Sequence, residues 1–240
     1  MIAPAKVRPP DERIAMPSCV SPDKNCDLCP RLEKFRKKNR AAFPDKFNAP
    51  VPSFGDHDPL LVVVGLAPGL KGANFSGRPF TGDSAGDLLY PTLVKFGFAA
   101  GRFDRRVGDG LKLKDTRITN AVRCVPPENK PLPAEINACR DFLESEFASF
   151  RRLRAILALG AVAHDSVLKS LGLARSAFKF GHGNVHALAP KKTLRFPVTL
   201  IDSYHCSGYN VKTRRLTLGM FEAVVAKARE TLGAGAPSIL

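Results

Sequence analysis

Apolar residues in this chain fall into short unbroken runs, separated by stretches where they recur every three or four positions. Leu60, Leu61, Val62, Val63 and Val64 form one run, residues 155–159 a second and residues 198–203 a third; the alternating TRITNAV, ending near residues 120–122, is a fourth. Unbroken β-prone runs are what strands covered on both faces require, as in a parallel sheet. Between them, Leu88, Leu89, Leu93 and Phe96 mark one helical face, and Ile136, Cys139, Phe142, Leu143, Phe147 and Phe150 mark another that opens at Pro133. AVAHDSVLKSLG and residues 216–232 read as two more helices, and EKFRKKNRAAFPDKF as a basic one ending before Pro44. Residues 177–198 read as a β-hairpin or an irregular loop. The pattern predicts a single α/β domain with a central four-stranded, mainly parallel sheet flanked by helices on both faces. The domain spans 19–232, after a flexible, Pro-rich arm at 1–18 and before a tail at 233–240.

That architecture says where to look for chemistry, because ligands of open parallel sheets sit beyond the carboxyl ends of the strands. After the first run the chain enters a glycine-rich loop, Gly65 to Asp83, holding Asn74, Arg78, Phe80 and Thr81. Asn120 and His205 fall at the ends of two other predicted strands. Three separate stretches are therefore expected to converge on one crevice.

Charge and cysteine content narrow the partners. Thirty-seven Lys and Arg against 22 Asp and Glu give a net charge of +15, which calls for a polyanion, most simply nucleic acid. No long amphipathic basic helix offers a bulky apolar face to lipid, so a membrane is not expected. The start of the chain lacks an apolar signal-type segment, which predicts a cytoplasmic protein, and six cysteines there point to metal or reduced thiols over disulfides. Cys26-x-x-Cys29 has the spacing of two thiolates on one turn facing a single ion or cluster corner, and a redox pair is the other reading. Cys124 lies in a loop and Cys139 on a helix. His164 is placed in a helix, facing solvent or core.

With these residues in view, GLAPGLKGANFSGRPFTGD, ITNAVRCVPPENKPLP with Cys139 downstream, FGHG, and SYHCSGYNVKTRRLT resemble the motifs of family 5 uracil-DNA glycosylases. These are iron–sulfur members of the uracil-DNA glycosylase superfamily, and the resemblance runs from about Cys26 to the last helix. It implies a monomeric DNA repair enzyme that flips uracil, or a related deaminated base, out of DNA and hydrolyses the N-glycosidic bond. By the same resemblance Cys26, Cys29, Cys124 and Cys139 match the four ligands of a [4Fe–4S] cluster; zinc would use the same set, and Cys139 also suits a core thiol. Cys19 and Cys206 match no ligand position.

The resemblance also assigns the pocket. Phe80 matches the aromatic that stacks on the flipped base, Asn120 the amide that reads the uracil edge, and His205 the histidine beside uracil O2. Main-chain groups of Gly65, Leu66 and Ala67 border the base, with His182 as a further wall. Where other superfamily members carry Asp, Glu or Asn, this chain has Leu66, as family 5 enzymes do; a family 4 enzyme would have an acid there. That leaves Asp83 either to orient water or to cap a helix. Leu66 also implies a pocket tolerant of other deaminated bases such as hypoxanthine. Arg78, Lys212, Arg214 and Arg215 are the expected phosphate contacts, and Tyr209 is placed to fill the vacated stack. A non-catalytic iron–sulfur DNA-binding or redox-sensing protein is the rival reading.

Overall fold

The computed structural model describes residues 19–191 and 193–233. The expected arm at 1–18 and nearly all of the expected tail lie outside the described residues. In chain order the elements are α1 (Pro30–Ala42), β1 (Phe54–Gly55), β2 (Leu61–Gly65), α2 (Ala73–Ser76), α3 (Ser84–Lys95), β3 (Ala99–Ala100), β4 (Lys112–Leu113) and β5 (Thr116–Asn120). There follow α4 (Pro133–Ser149), β6 (Ala155–Leu159), α5 (Ala161–Ser170), β7 (Val185–Leu188), β8 (Val198–Ser203), α6 (Gly208–Lys212) and α7 (Leu218–Gly233).

Among the described residues the main sheet has six strands, in the order β1-β5-β2-β6-β8-β7. The four strands legible as apolar runs are its parallel centre, β5-β2-β6-β8. The expectation of four is corrected by two antiparallel edges, β1 on β5 and β7 on β8. Both edges are short and only partly covered, with Val185 51% exposed, so neither needs the apolar run that reveals a central strand. β7 belongs to the stretch read as hairpin or loop.

Alternation along the strands divides the core. Leu61, Val63, Leu157 and Ile201 face α3 and α7 through Leu89, Leu93, Phe221 and Val225, whereas Val62, Val64, Ile156 and Leu200 face α4 and α5 through Leu143, Phe147, Val167 and Leu168. Burying such side chains contributes about 1.5–3 kcal/mol each, before the entropy of ordering them. The C-terminal half of the α4 face packs on the sheet. Its N-terminal half turns to a smaller cluster in which Cys139 meets Cys124, Val122 and Leu32 of α1.

The pairing register levels the strand ends that matter. Gly65, closing β2, stands opposite Asn120, closing β5. Leu159 stands opposite Ser203, two residues before His205.

Candidate active site

Gly65 is the floor of the site. A Cβ there would lie 2.3 Å from Asn120 Oδ1 and 2.6 Å from Phe80 Cζ, so only glycine lets the amide and the ring meet over the strand end. Phe80 is held in a left-handed conformation at φ +52°, unusual for a bulky residue and costing on the order of 1 kcal/mol or more. Its neighbours fix it. Tyr90 donates its hydroxyl to Pro79 O at 2.6 Å, Thr81 Oγ1 donates to the same carbonyl at 3.1 Å, and Ser76 Oγ donates to Thr81 O at 2.9 Å. The Phe80 ring then stacks with His205, centroids 5.9 Å apart and planes 28° apart.

Phe80, Asn120 and His205 line a cavity of about 360 Å³, together with Leu66, Ala67 and Asp83; Gly65, expected to border the base, is not among its lining residues and lies beneath Phe80 and Asn120. That volume suits one base-sized ligand. Among the described residues, neither the Asn120 carboxamide nor the His205 ring has a hydrogen-bond partner. Burial pushes the His205 imidazole down to about 4, so the ring is neutral at physiological pH and carries one donor and one acceptor. Asp83 does cap α3: its Oδ1 accepts from Ala85 N at 3.0 Å. Burial raises its carboxyl above the usual range, against the pull of the backbone donors. A second backbone donor, Gly86 N, also faces the carboxylate, whose Oδ2 fills the space a Gly72 Cβ would take, 2.0 Å away.

A second cavity gathers the cysteines. Cys26, Cys29, Cys124 and Cys139 all line it, and none of them is in a disulfide. Arg36 of α1 donates Nη1 to Cys124 Sγ at 3.4 Å and Nη2 to Cys26 O at 2.6 Å, while Arg123 N donates to Cys139 Sγ at 3.4 Å. Arg36 Nε is buried with no partner among the described residues. Burial pushes the thiols of Cys29 and Cys124 up to about 11 and about 12. Cys19 is exposed, and Cys206 is fully buried beneath His205 in the main core.

A family model for the uracil DNA glycosylase superfamily matches residues 52–229. The chain belongs to that superfamily. It is 40% identical over 213 residues to the Type-5 uracil-DNA glycosylase of Thermus thermophilus, spanning 87% of this chain and 94% of that protein. A Type-5 uracil-DNA glycosylase of Pyrobaculum aerophilum is 37% identical over 213 residues, spanning 87% of this chain and 90% of that protein. A Type-4 uracil-DNA glycosylase of the same organism is 35% identical over 159 residues, 66% of each chain.

In this superfamily member two sequence expectations need correction. Arg78 is not a surface cation: it is 5% exposed, paired through Nη1 and Nη2 with Asp109 at 2.8 and 2.7 Å, bonded to Thr81, and packed over Phe54, Tyr90 and Phe103. The Arg78 hydrogen bonds hold the Asp109 carboxyl far below the usual carboxylate range. Arg78 braces the Phe80 loop, its guanidinium engaged inside the protein. His182 does not line the cavity either. Its Nδ1 accepts from Tyr204 N at 3.1 Å and its ring stacks at 5.0 Å on that of Tyr204, the residue before His205.

The other surface expectations lie beside the cavity mouth. Ser207 caps α6 and lines the cavity with Gly208; Tyr209 follows, 73% exposed, and Lys212, Arg214 and Arg215 are exposed beyond it. Two further residues escaped the sequence reading. Asn210 donates Nδ2 to His205 O at 2.8 Å and fixes that turn. Asn129 lines the cavity from the Pro-rich loop after Cys124, left-handed at φ +57° beside Glu128 at φ +56°. The two consecutive left-handed residues are the signal that backbone geometry supplies and composition hides.

Among the described residues no helix is long and apolar enough to cross a membrane.

Proposed function

We propose that this protein is a uracil-DNA glycosylase of the Type-5 kind: it takes uracil extruded from DNA and hydrolyses the bond between N1 and the deoxyribose C1′, leaving an abasic site. One observation carries the reading. Phe80, Asn120 and His205, from three separated stretches of chain, meet at one base-sized cavity where the amide and the imidazole have no partner of their own. The relatives named as Type-5 uracil-DNA glycosylases, matched over most of their length, support it.

The geometry suits the chemistry. Phe80 offers a flat face to the base. The Asn120 carboxamide donates to O4 and accepts from N3–H, a pattern that thymine shares and that cytosine does not. As the C1′–N1 bond breaks, its electron pair leaves with the base and charge gathers on O2, where the neutral His205 N–H donates to it. A water molecule, oriented by the Asp83 carboxylate that lines the cavity, forms the new C1′–O bond as the C1′–N1 bond is lost, and its proton passes through that carboxylate to solvent. Leu66 contributes no polar contact, so hypoxanthine is accepted as well.

The cysteine corner fits a [4Fe–4S] cluster held by Cys26, Cys29, Cys124 and Cys139. Four unpaired sulfurs ring one cavity, and an arginine and a backbone N–H already aim at two of them. When bound, the group would pin α1 and the N-terminus of α4 to the loop carrying Asn129, a structural service. The enzyme acts as a monomer in the cytoplasm on DNA containing deaminated bases, gripping phosphates with Lys212, Arg214 and Arg215 while Tyr209 fills the gap.

The experiment is direct. Purified protein is incubated with duplexes holding one uracil, hypoxanthine or mismatched thymine, and strand breaks are scored after alkali. Uracil release by the wild type, lost in His205→Ala while duplex binding persists, is the expected result; a wild-type protein that binds the uracil duplex without releasing the base would overturn the reading. Visible absorbance and iron content test the cluster separately.

A further inference from the structure

Behind the cavity lies a buried polar cluster that the reaction above does not use. Asp202 of β8, fully buried, points with Leu200 toward α5, where His164 is 1% exposed. His164 Nδ1 is 2.7 Å from Asp202 Oδ1, and its Nε2 is 2.9 Å from Phe178 O. Both facing atoms are acceptors. A neutral imidazole beside an ionised Asp202 has one N–H and would press a lone pair against one of those oxygens; the doubly protonated ring satisfies both, and the alternative of a neutral ring accepting from a protonated Asp202 is disfavoured because the same carboxylate also accepts at Oδ2. The other carboxylate oxygen, Oδ2, takes His186 Nε2 at 3.0 Å and Gly181 N at 3.4 Å. Burial alone would push the His164 imidazole down, but the hydrogen bond and charge of Asp202, with the Phe178 carbonyl, outweigh it and hold the ring above its ordinary value.

Other charged groups near the ring come from each packed element. On α5, Asp165 is engaged by Arg175 at 2.6 Å, and His186 of β7 faces the ring edge-on, centroids 5.5 Å apart. A divalent ion among His164, His186 and Asp202 is the alternative occupant of this space. The 2.7 Å separation favours a shared proton, since metal ligands stand farther apart than a charge-assisted hydrogen bond.

We infer that His164 is a buried imidazolium that acts as a positioning residue for His205. The pair ties residues 178–186 to β8 at three points: Phe178 O, Gly181 N and His186. Inside that segment His182 accepts the Tyr204 N–H and stacks on the Tyr204 ring, and Tyr204 leads directly into His205. Loss of the His164 proton at alkaline pH removes one of its two anchors and loosens the wall against which His205 meets Phe80. Its stabilising contribution is complete below about 6.5 and is lost as pH rises through the raised folded value. The role in catalysis rests on the glycosylase reading, whereas the charge state does not.

The test uses the cluster-containing protein throughout. Histidine ring 15N NMR at pH 7 should show two protonated nitrogens that vanish in His164→Phe. That variant should lose thermal stability, lower kcat for uracil release by about ten- to a hundredfold, and lose the alkaline limb of the pH profile, with duplex Kd unchanged. Because a lone Asp202 charge could unfold the chain, the double variant H164F/D202A serves as the second probe: it should regain stability but not kcat. A singly protonated His164, a stoichiometric zinc ion by elemental analysis, or wild-type kcat in the double variant would overturn the inference. Wild-type protein that releases no uracil would instead sink the glycosylase reading and the catalytic role, while the NMR result still decides the charge.

Discussion

The two faces of β5 treat polar side chains in opposite ways. On the α4 face, Arg117 donates Nε to Glu146 Oε1 at 2.8 Å, Thr119 Oγ1 donates to Oε2 at 2.9 Å, and Arg123, just beyond the strand, pairs with the same carboxylate. Ser53 bridges Arg123 and Thr119 at the rim. On the other face Asn120, also buried, reaches the cavity with no hydrogen bond to its amide among the described residues. Its amide opens onto the cavity rather than being sealed off, so a ligand or water can complete it, whereas sealing it away without a partner would cost about 1–3 kcal/mol. The closed cluster holds the strand, and the open one is held ready.

Breaking the closed face should give the largest effect. Glu146→Ala leaves two buried arginines without their anion and should cost about 3–5 kcal/mol, read as a lower midpoint in urea, with kcat of the folded fraction retained. The pH dependence follows from the same charges. Against the desolvating effect of burial, Arg123 and Arg117 hold the Glu146 carboxyl down to about 2. Its contribution is present above the unfolded glutamate value of about 4.3 and is lost as pH falls toward 2, so acid unfolding should steepen over that window and flatten in Glu146→Gln.

The open face should behave in reverse. His205→Ala should lower kcat by about 10²–10³, worth about 2.7–4 kcal/mol of transition-state stabilisation, with the urea midpoint nearly unchanged. Because burial holds the His205 ring at about 4, the wild-type rate should show no titration of this residue between pH 5 and 8; a limb centred near 6.5 would contradict the neutral donor. Asp83→Asn separates two roles that one residue combines. Asn caps a helix as well as Asp, so stability should hold while kcat falls by about ten- to a hundredfold; an unchanged kcat would leave Asp83 only its cap.

How much of this was readable beforehand follows the same division. The four central strands were legible because burial on both faces demands apolar runs, and the cavity residues because strand ends and motif order locate them. The edges β1 and β7 were not, since half-exposed strands tolerate any pattern. Arg78 misled because a cation beside a ligand loop looks like a DNA contact until Asp109, far along the chain, is brought against it by folding. His182 misled in the same way through Tyr204. The partners of His164 were equally beyond reach: Phe178 and Asp202 join it only once β8 and the segment before β7 are in place.

The smallest predicted effect tests that lesson on the cations themselves. Lys212 and Arg214 are exposed beside α6 and the cavity mouth, with no ion pair among the described residues. Each phosphate contact releases counterions, so Lys212→Ala or Arg214→Ala should weaken duplex binding only a few-fold, alike for uracil and undamaged DNA, and reduce the slope of log Kd against log salt by about 0.9. Arg78→Ala removes the same formal charge, yet its guanidinium is already neutralised by Asp109 behind the Phe80 loop, so it should lower stability and kcat while leaving the salt slope as it was. Wild-type slopes for Lys212→Ala and Arg214→Ala would mean that the exposed pair does not touch DNA; a reduced slope for Arg78→Ala would mean that its burial gives way when DNA binds.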